Sequence, residues 1–117
     1  MKKILALAVV SLSTLISLNA TADSKIEAGK AAVAKYNCAS CHGADFQTPI
    51  DPAYPKLAGQ HKDYLRHALV SYKRGNGVSN GRSNAIMTPL AKQLSNQDIE
   101  NIAAYLHSLP TTLVLRK

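Results

Sequence analysis

A Cys-x-x-Cys-His run at residues 38–42 constrains the fold of this chain more than any other feature. It contains both cysteines of the 117-residue sequence. Thiols at this spacing add across the two vinyl groups of one porphyrin, and the adjacent imidazole then binds the iron. The motif therefore predicts one covalently attached haem c, held by Cys38 and Cys41, with His42 as an iron ligand.

Three other interpretations of the motif compete with haem attachment. A thioredoxin-like redox pair requires a preceding strand and a βαβ context, whereas the residues before Cys38 have a helical pattern. A zinc site requires a fourth ligand, usually from a second Cys or His cluster, and the sequence has no third cysteine. A Cys38–Cys41 disulfide would close too short a loop to stabilise the chain much.

The N-terminus has the pattern of an export signal. Lys2 and Lys3 precede a mostly apolar run over residues 4–18, and Ala20-Thr21-Ala22 is a small-x-small cleavage pattern. We expect a signal peptide over residues 1–22 and a mature domain over 23–117, with cleavage after Ala20 as the alternative. A retained anchor is disfavoured because a bilayer span needs about 20 apolar residues. The expected location is the periplasm, with no integral membrane span after processing.

The charge of the chain favours acidic partners. The formal net charge is +7, and removal of Lys2 and Lys3 lowers it to +5. Such a balance attracts acidic surfaces, and it also serves solubility. The basic residues are scattered, which together with export argues against nucleic acid as a partner.

Apolar spacing predicts three amphipathic helices. The first begins at Ser24 and leads into Cys38, with Gly29 on its apolar face as either a close-approach position or a tolerated glycine. The second covers residues 60–74, and the third follows Ser95 as N-cap and ends at Pro110. The predicted buried positions are Ile26, Gly29, Ala32, Val33 and Tyr36; Tyr64, Leu65, Ala68, Leu69 and Tyr72; and Ile99, Ile102, Ala103, Leu106 and Leu109.

The segments between these helices supply the remaining candidates for the site. A proline-rich loop follows His42, and the Pro55 carbonyl is a candidate acceptor for the second ring nitrogen of that histidine. Met87 is the only methionine after the signal, and we place it on a loop beside Pro89 as the second axial ligand. His61 and His67 could also bind iron, but each is better explained as a surface residue.

Together these motifs resemble a class I cytochrome c, and among these the small bacterial cytochrome c553 and c4-type domains. The resemblance rests on Cys-Ala-Ser-Cys-His-Gly, Pro-x-Leu-x-Gly-Gln, Met-x-Pro and a final Leu-Ser-x-x-Asp-Ile helix, and it covers the whole mature chain. It implies an all-α cytochrome c fold, three main helices plus loops wrapped around one covalent haem, with His42 and Met87 as axial ligands. It also implies a right-angle crossing of the first and last helices at Gly29, near Tyr105.

The sequence departs from that family pattern at two points. Cytochrome c4 proteins carry two such domains, whereas this chain has one haem motif. The chain also has no tryptophan, a residue that several branches place near the haem propionates. Tyr54 and Arg82 are the residues that would take that place.

The function that the resemblance implies is electron transfer by a periplasmic carrier, not an enzyme. Its partners would be redox proteins with acidic docking surfaces, such as a membrane oxidase or a cytochrome bc1-type complex. The nearest alternative is an electron-accepting subunit of a periplasmic dehydrogenase. A peroxidase, a nitrite-type reductase or a gas sensor would need an open or labile position in place of Met87. The basic residues expected around the haem edge are Lys56, Lys62, Arg66, Lys73, Arg74, Arg82 and Lys92.

Overall fold

Helices make up all the regular structure in the part of the chain that the computed structural model describes, which is residues 17–114, with side chains from residue 20. The α-helices are α1 (Ser17–Lys35), α2 (Ala39–His42), α3 (Lys62–Arg74), α4 (Met87–Gln93) and α5 (Asn96–Ser108), with one 3₁₀ turn at Gly75–Gly77. No strand occurs between residues 17 and 114. The predicted all-α class is therefore confirmed, with α1, α3 and α5 as the three long helices and α2 and α4 as shorter ones.

Helices α1 and α5 pack against each other at Gly29. A Cβ atom at this buried position would lie 2.0 Å from the carbonyl oxygen of Asn101 and 2.6 Å from Cβ of Tyr105. Any side chain would therefore force the two helices apart, so the close-approach interpretation of Gly29 is correct. A second link lies at the end of α1, because the hydroxyl of Tyr36, the residue after the helix, donates a hydrogen bond of 3.0 Å to the Asp98 carboxylate on α5.

Helix α1 begins earlier than the predicted start at Ser24. The Ser24 hydroxyl donates to the carbonyl of Thr21 at 2.9 Å, within the helix, and therefore does not cap it. Most of the predicted signal peptide lies outside the described residues, and residues 17–22 form the first turns of α1. Among the described helices, none combines the length and the apolar character needed to cross a bilayer.

The final helix follows the prediction closely. The Ser95 hydroxyl accepts a hydrogen bond from the Asp98 amide and the Asp98 carboxylate accepts one from the Ser95 amide, each at 2.9 Å, which completes a capping box. The cap holds the apolar face of α5 toward the interior. The fully buried members of that face are Ile99, Ile102, Ala103 and Leu106.

The loop between α2 and α3 is part of the core, although it contains no helix or strand. Phe46 is 3% exposed, and its ring meets Tyr105 edge-on at a centroid distance of 6.3 Å. Its carbonyl accepts hydrogen bonds from the amides of Leu57 and Ala58 at 2.8 and 3.1 Å. These bonds turn the proline-rich segment back toward His42. The core consists of Ala32, Val33, Phe46, Ala58, Leu65, Leu94, Ile99, Ile102, Ala103 and Leu106.

Candidate haem site

The Cys-x-x-Cys-His motif forms a single helical turn directly after α1. The Cys38 amide donates to the carbonyl of Val33 at 3.0 Å, and the His42 amide donates to the Cys38 carbonyl at 3.1 Å. Residues three and four apart lie on the same face of a helical turn. Cys38, Cys41 and His42 consequently all line one cavity, which is what attachment of both thiols and the imidazole to one planar group requires.

The imidazole of His42 is buried and held by one specific hydrogen bond. Its Nδ1 lies 2.9 Å from the carbonyl oxygen of Pro55. A carbonyl can only accept, so Nδ1 carries the proton and the neutral ring keeps its lone pair on Nε2. A backbone acceptor of this kind fixes the tautomer and ring plane of a metal-binding histidine. The predicted hydrogen bond between the His42 ring and the Pro55 carbonyl is therefore confirmed.

The cavity beside His42 has a volume of about 510 Å³, within the range of cofactor sites. Its walls are largely apolar and also carry the two thiols, the imidazole and a polar rim. The aliphatic lining residues are Ala53, Leu57, Leu65, Ala68, Leu69, Ile86, Leu90, Leu94, Ile102 and Leu106. An apolar chamber with this donor set on its wall fits a covalently attached haem. The apolar face of α3 forms one side of it, as the sequence predicts for a helix lying against the cofactor.

The two cysteines are free thiols and half-buried. Burial raises the pKa of the Cys38 thiol above its ordinary value, so before haem attachment this group is a neutral thiol at neutral pH. Because both thiols are free, the structure has no Cys38–Cys41 disulfide. Within residues 17–114 no three His, Cys, Asp or Glu side chains are grouped to hold a metal ion, so the zinc arrangement is absent there too.

Met87 lies on the same cavity as His42 and both cysteines. Its predicted placement on a loop is wrong, because Met87 is the first residue of α4. The helix begins there because the Asn84 side-chain oxygen accepts hydrogen bonds from the Ile86 and Met87 amides, each at 2.9 Å. Pro89 does not interrupt α4, because it lies in the first turn, where backbone amides have no hydrogen-bond partner within the helix.

The other described histidines lie away from the cavity. His61 and His67 are exposed, as predicted, and neither lines it. His67 Nε2 is 3.1 Å from a guanidinium nitrogen of Arg66. His107 is exposed as well, and its Nδ1 donates to the carbonyl of Gln60 at 2.8 Å. His42 is therefore the only histidine that lines the cavity in the described structure.

Several tyrosines and an arginine form part of the cavity wall. The Arg82 guanidinium carbon lies 5.7 Å from the ring centroid of Tyr64 and 5.8 Å from that of Tyr72. Such distances allow cation–π attraction to both rings. Tyr54 lines the cavity as well, with its ring 6.4 Å from that of His42. Both residues considered for the place of the missing tryptophan thus lie at the cavity.

Two of the seven basic residues expected around the haem edge line the cavity, Lys56 and Arg82, and both lie on loops. Arg66, Lys73 and Arg74 instead line a separate cleft of about 450 Å³ formed by residues of α3 and α5. Arg66 is 3.6 Å from Glu100, and the Lys73 ammonium donates to the carbonyl of Leu94. Lys62 and Lys92 line neither the cavity nor the cleft.

Sequence reasoning missed two residues that shape the site. Phe46 has no partner in any periodic pattern, so nothing in its surroundings marks it as buried. Asn84 has a detectable signal, since asparagine favours helix N-caps and stands three residues before Met87. That signal is overlooked when the segment is taken as a Gly, Asn and Ser loop.

Comparison with known proteins places this site in a family. A family model described as cytochrome c matches residues 26–110. Cytochrome c-554(548) of Halomonas halodenitrificans is 44% identical over 71 residues, covering 61% of this chain and 82% of that protein. Cytochrome c4 of Stutzerimonas stutzeri is 39% identical over 114 residues, covering 92% of this chain and 51% of that protein. The thiosulfate dehydrogenase electron acceptor of Stutzerimonas stutzeri strain A1501 is 38% identical over 82 residues, covering 70% of this chain and 36% of that protein.

The chain spans about half the length of that cytochrome c4, and a smaller share of the thiosulfate dehydrogenase electron acceptor. The family match nevertheless includes α2, the Pro55 loop and Met87, which are the parts of the chain that build the cavity. The chain belongs to the cytochrome c family of haem-based electron-transfer proteins and carries one covalently bound haem c, whose attachment Cys38, Cys41 and His42 fit.

Proposed function

We propose that this protein is a periplasmic one-electron carrier in which His42 and Met87 are the two axial ligands of the haem iron. The observation that carries the proposal is that Met87, on α4, lines the same cavity as both cysteines and His42 on or beside α2. Haem supplies an iron that takes up and releases one electron. With an imidazole and a thioether as ligands, a c-type haem has a raised reduction potential and a closed sixth position.

His42 contributes through its second ring nitrogen as well as through its lone pair. The hydrogen bond from Nδ1 to the Pro55 carbonyl keeps the proton off Nε2 and raises the basicity of that atom. Because the acceptor is a backbone carbonyl in a loop tied to the core at Phe46, the ring cannot rotate without loss of that bond. His42 is thereby held ready to bind the iron in either oxidation state.

The aliphatic walls contribute by excluding water from the reacting centre. Leucine and isoleucine side chains of α3, α4 and α5 form part of the apolar lining of the cavity. A dry, closely packed surround leaves few groups that must rearrange when the charge of the centre changes by one unit. A carrier that keeps both ligands and binds no substrate therefore matches this cavity.

Carbon monoxide tests the ligand assignment. The absorption spectrum of the matured, dithionite-reduced protein should not change when carbon monoxide is added, because Met87 occupies the sixth position. A Met87→Ala variant should bind carbon monoxide promptly and thus serves as the control. Prompt binding by the unaltered protein would contradict Met87 ligation and would favour an enzyme or a gas sensor.

Docking would use the positive charge of the chain. Lys56 and Arg82 line the cavity, and removal of Lys2 and Lys3 with the signal lowers the net charge from +7 to +5. Both favour redox partners with acidic docking surfaces, such as a membrane oxidase or a cytochrome bc1-type complex. Steering of this kind acts on the association rate and is screened over about 8 Å at physiological ionic strength.

Ionic strength tests that docking. The second-order rate of electron transfer to an acidic redox protein should fall as salt is added. Lys56→Gln should lower the rate at low salt more than Lys30→Gln, the same charge change on the exposed side of α1. A flat salt profile would exclude steering, and equal effects of the two substitutions would exclude a local role for Lys56.

Export is the remaining element of the proposal. Cleavage after Ala22 would remove residues 1–22 and leave α1 beginning at Asp23, upstream of the first half-buried residue, Ile26. N-terminal sequencing of the protein recovered from the periplasmic fraction should begin at Asp23, or at Thr21 if cleavage follows Ala20. Recovery in the membrane fraction with an intact N-terminus would contradict it.

A second candidate is an electron-accepting subunit of a periplasmic dehydrogenase. It is supported by the 38% identity to a protein named thiosulfate dehydrogenase electron acceptor, of which this chain covers 36%. Gel filtration of the native protein separates the two candidates. A free carrier should elute at the size of its own chain, whereas a subunit should co-elute with a larger enzyme.

A further inference from the structure

The segment that leads into Met87 has little tertiary packing. Residues 76–80 and 82–86 are exposed, in contrast to the end of α4, where Ala91 and Leu94 are buried in the core. The backbone of this segment is tied to α3 at one point, where the Arg82 amide donates to the carbonyl of Ser71 at 2.9 Å. The side chain of Arg82 also packs against two tyrosines of α3. Between Arg82 and Met87, the backbone hydrogen bonds are local.

Asn84 makes those local bonds. Its side-chain oxygen accepts from the amides of Ile86 and Met87, each at 2.9 Å. Its own amide donates to the Thr88 hydroxyl at 2.9 Å, and its carbonyl accepts from the Thr88 amide at 3.1 Å. Four hydrogen bonds thus close one turn around Met87, in the manner of an N-cap whose side chain satisfies free amides at the start of a helix.

We propose that Asn84 is the positioning residue for Met87: its side-chain oxygen keeps the first turn of α4 wound and so keeps the thioether at the cavity. This inference rests on the proposed ligand role of Met87. Helix α4 has only 7 residues, and short helices are marginal without such support. Loss of the cap should therefore open the first turn locally while α1, α3 and α5 stay folded.

The local character of this opening distinguishes positioning from general stability. Detachment of Met87 requires the first turn of α4 to move away from the cavity, and the two amides bound by Asn84 are those of Met87 itself and of Ile86, the residue directly before α4. Without the cap, the detached state becomes more populated relative to the closed state. An external ligand that competes with Met87 for the iron should then bind more tightly, even though the core of the protein is unchanged.

Imidazole binding to the ferric holoprotein measures the detached population. An Asn84→Ala variant should bind imidazole about fivefold more tightly than the unaltered protein, the factor expected for loss of one typical N-cap. The long-wavelength absorption of thioether-ligated ferric haem should disappear at correspondingly lower imidazole concentrations. Asn84→Asp keeps an oxygen acceptor, so its imidazole affinity and its long-wavelength absorption should match those of the unaltered protein. Asn80→Ala, in the same exposed loop and without a hydrogen bond of its side chain in the described structure, should change neither.

Two further variants separate the positioning role of Asn84 from the ligand role of Met87. Thr88→Val removes the acceptor for the Asn84 amide without touching its side-chain oxygen, and it should tighten imidazole binding in the same direction but less, even if Asn84→Ala does not mature. Met87→Ala should tighten it most. Unchanged affinity in Asn84→Ala with tighter binding in Met87→Ala would overturn the positioning role alone. Unchanged affinity in Met87→Ala would overturn the ligand assignment and this inference with it.

Discussion

A Gly29→Ala substitution tests whether the approach of α1 to α5 determines the stability of this fold. In an isolated helix the change is favourable, because alanine is better than glycine in a helix interior by about 1 kcal/mol. In this protein the added methyl group would lie 2.0 Å from a backbone oxygen of Asn101 and 2.6 Å from Cβ of Tyr105. The two effects therefore have opposite signs.

The packing effect should be the larger one. An ordinary Cβ contact begins at 3.4 Å, so α1 and α5 must separate by more than an ångström at this point. The obstacle is the backbone of α5, which cannot rotate away as a flexible side chain does. Overpacking of this kind costs typically 1–3 kcal/mol, and we take about 3 because backbone atoms are involved. After subtraction of the helix gain, the variant should lose about 2 kcal/mol of unfolding free energy.

Denaturant unfolding of the ferric holoprotein, followed by far-ultraviolet circular dichroism, measures this loss. The same loss should lower Tm by roughly 8–16 °C for a domain of this size. Gly77→Ala is the matched control, since a Cβ atom there meets nothing within 4 Å, and it should not lower stability. A Gly29→Ala protein about 1 kcal/mol more stable than its parent would show that helix propensity alone operates, and the packing argument would be refuted.

Two other perturbations address the capping box and the cofactor. The pKa of Asp98 lies below its ordinary value, chiefly because its carboxylate accepts from the Ser95 amide, so Asp98→Asn should cost about 1 kcal/mol at neutral pH. A carboxylate whose pKa is lowered in the folded state stabilises the protein above its unfolded-state pKa, and this stabilisation is lost as the pH falls through the folded-state pKa. In urea titrations, the difference in unfolding free energy between Asp98→Asn and the parent should therefore shrink in acid. A difference that is constant with pH would contradict this. The Cys38→Ala, Cys41→Ala double variant should be largely unfolded by circular dichroism, because without haem the mostly apolar cavity of about 510 Å³ has no apolar occupant. The control variant Ser40→Ala should keep the native spectrum. Native helix content in the double variant would contradict this prediction.

Several features of the chain were determined by its sequence alone. The haem motif is local, because residues three and four apart in one turn present both thiols and the imidazole to the same side. The α5 cap is local as well, since Ser95 and Asp98 satisfy each other's amides. The long amphipathic helices follow from the spacing of their apolar residues. Each of these depends on atoms within a few residues of one another, so a linear pattern is enough to recognise it.

Other features were decided only by the tertiary structure. The burial of Phe46 depends on Tyr105, far along the chain, and no periodicity reveals it. The placement of Arg66, Lys73 and Arg74 at a second cleft, away from the haem cavity, depends on where α5 packs against α3. Whether Gly29 was a close-approach position or a tolerated glycine could be answered only once Asn101 lay against it. These properties join residues distant in sequence, and their energies come from contacts that exist only after the helices have packed.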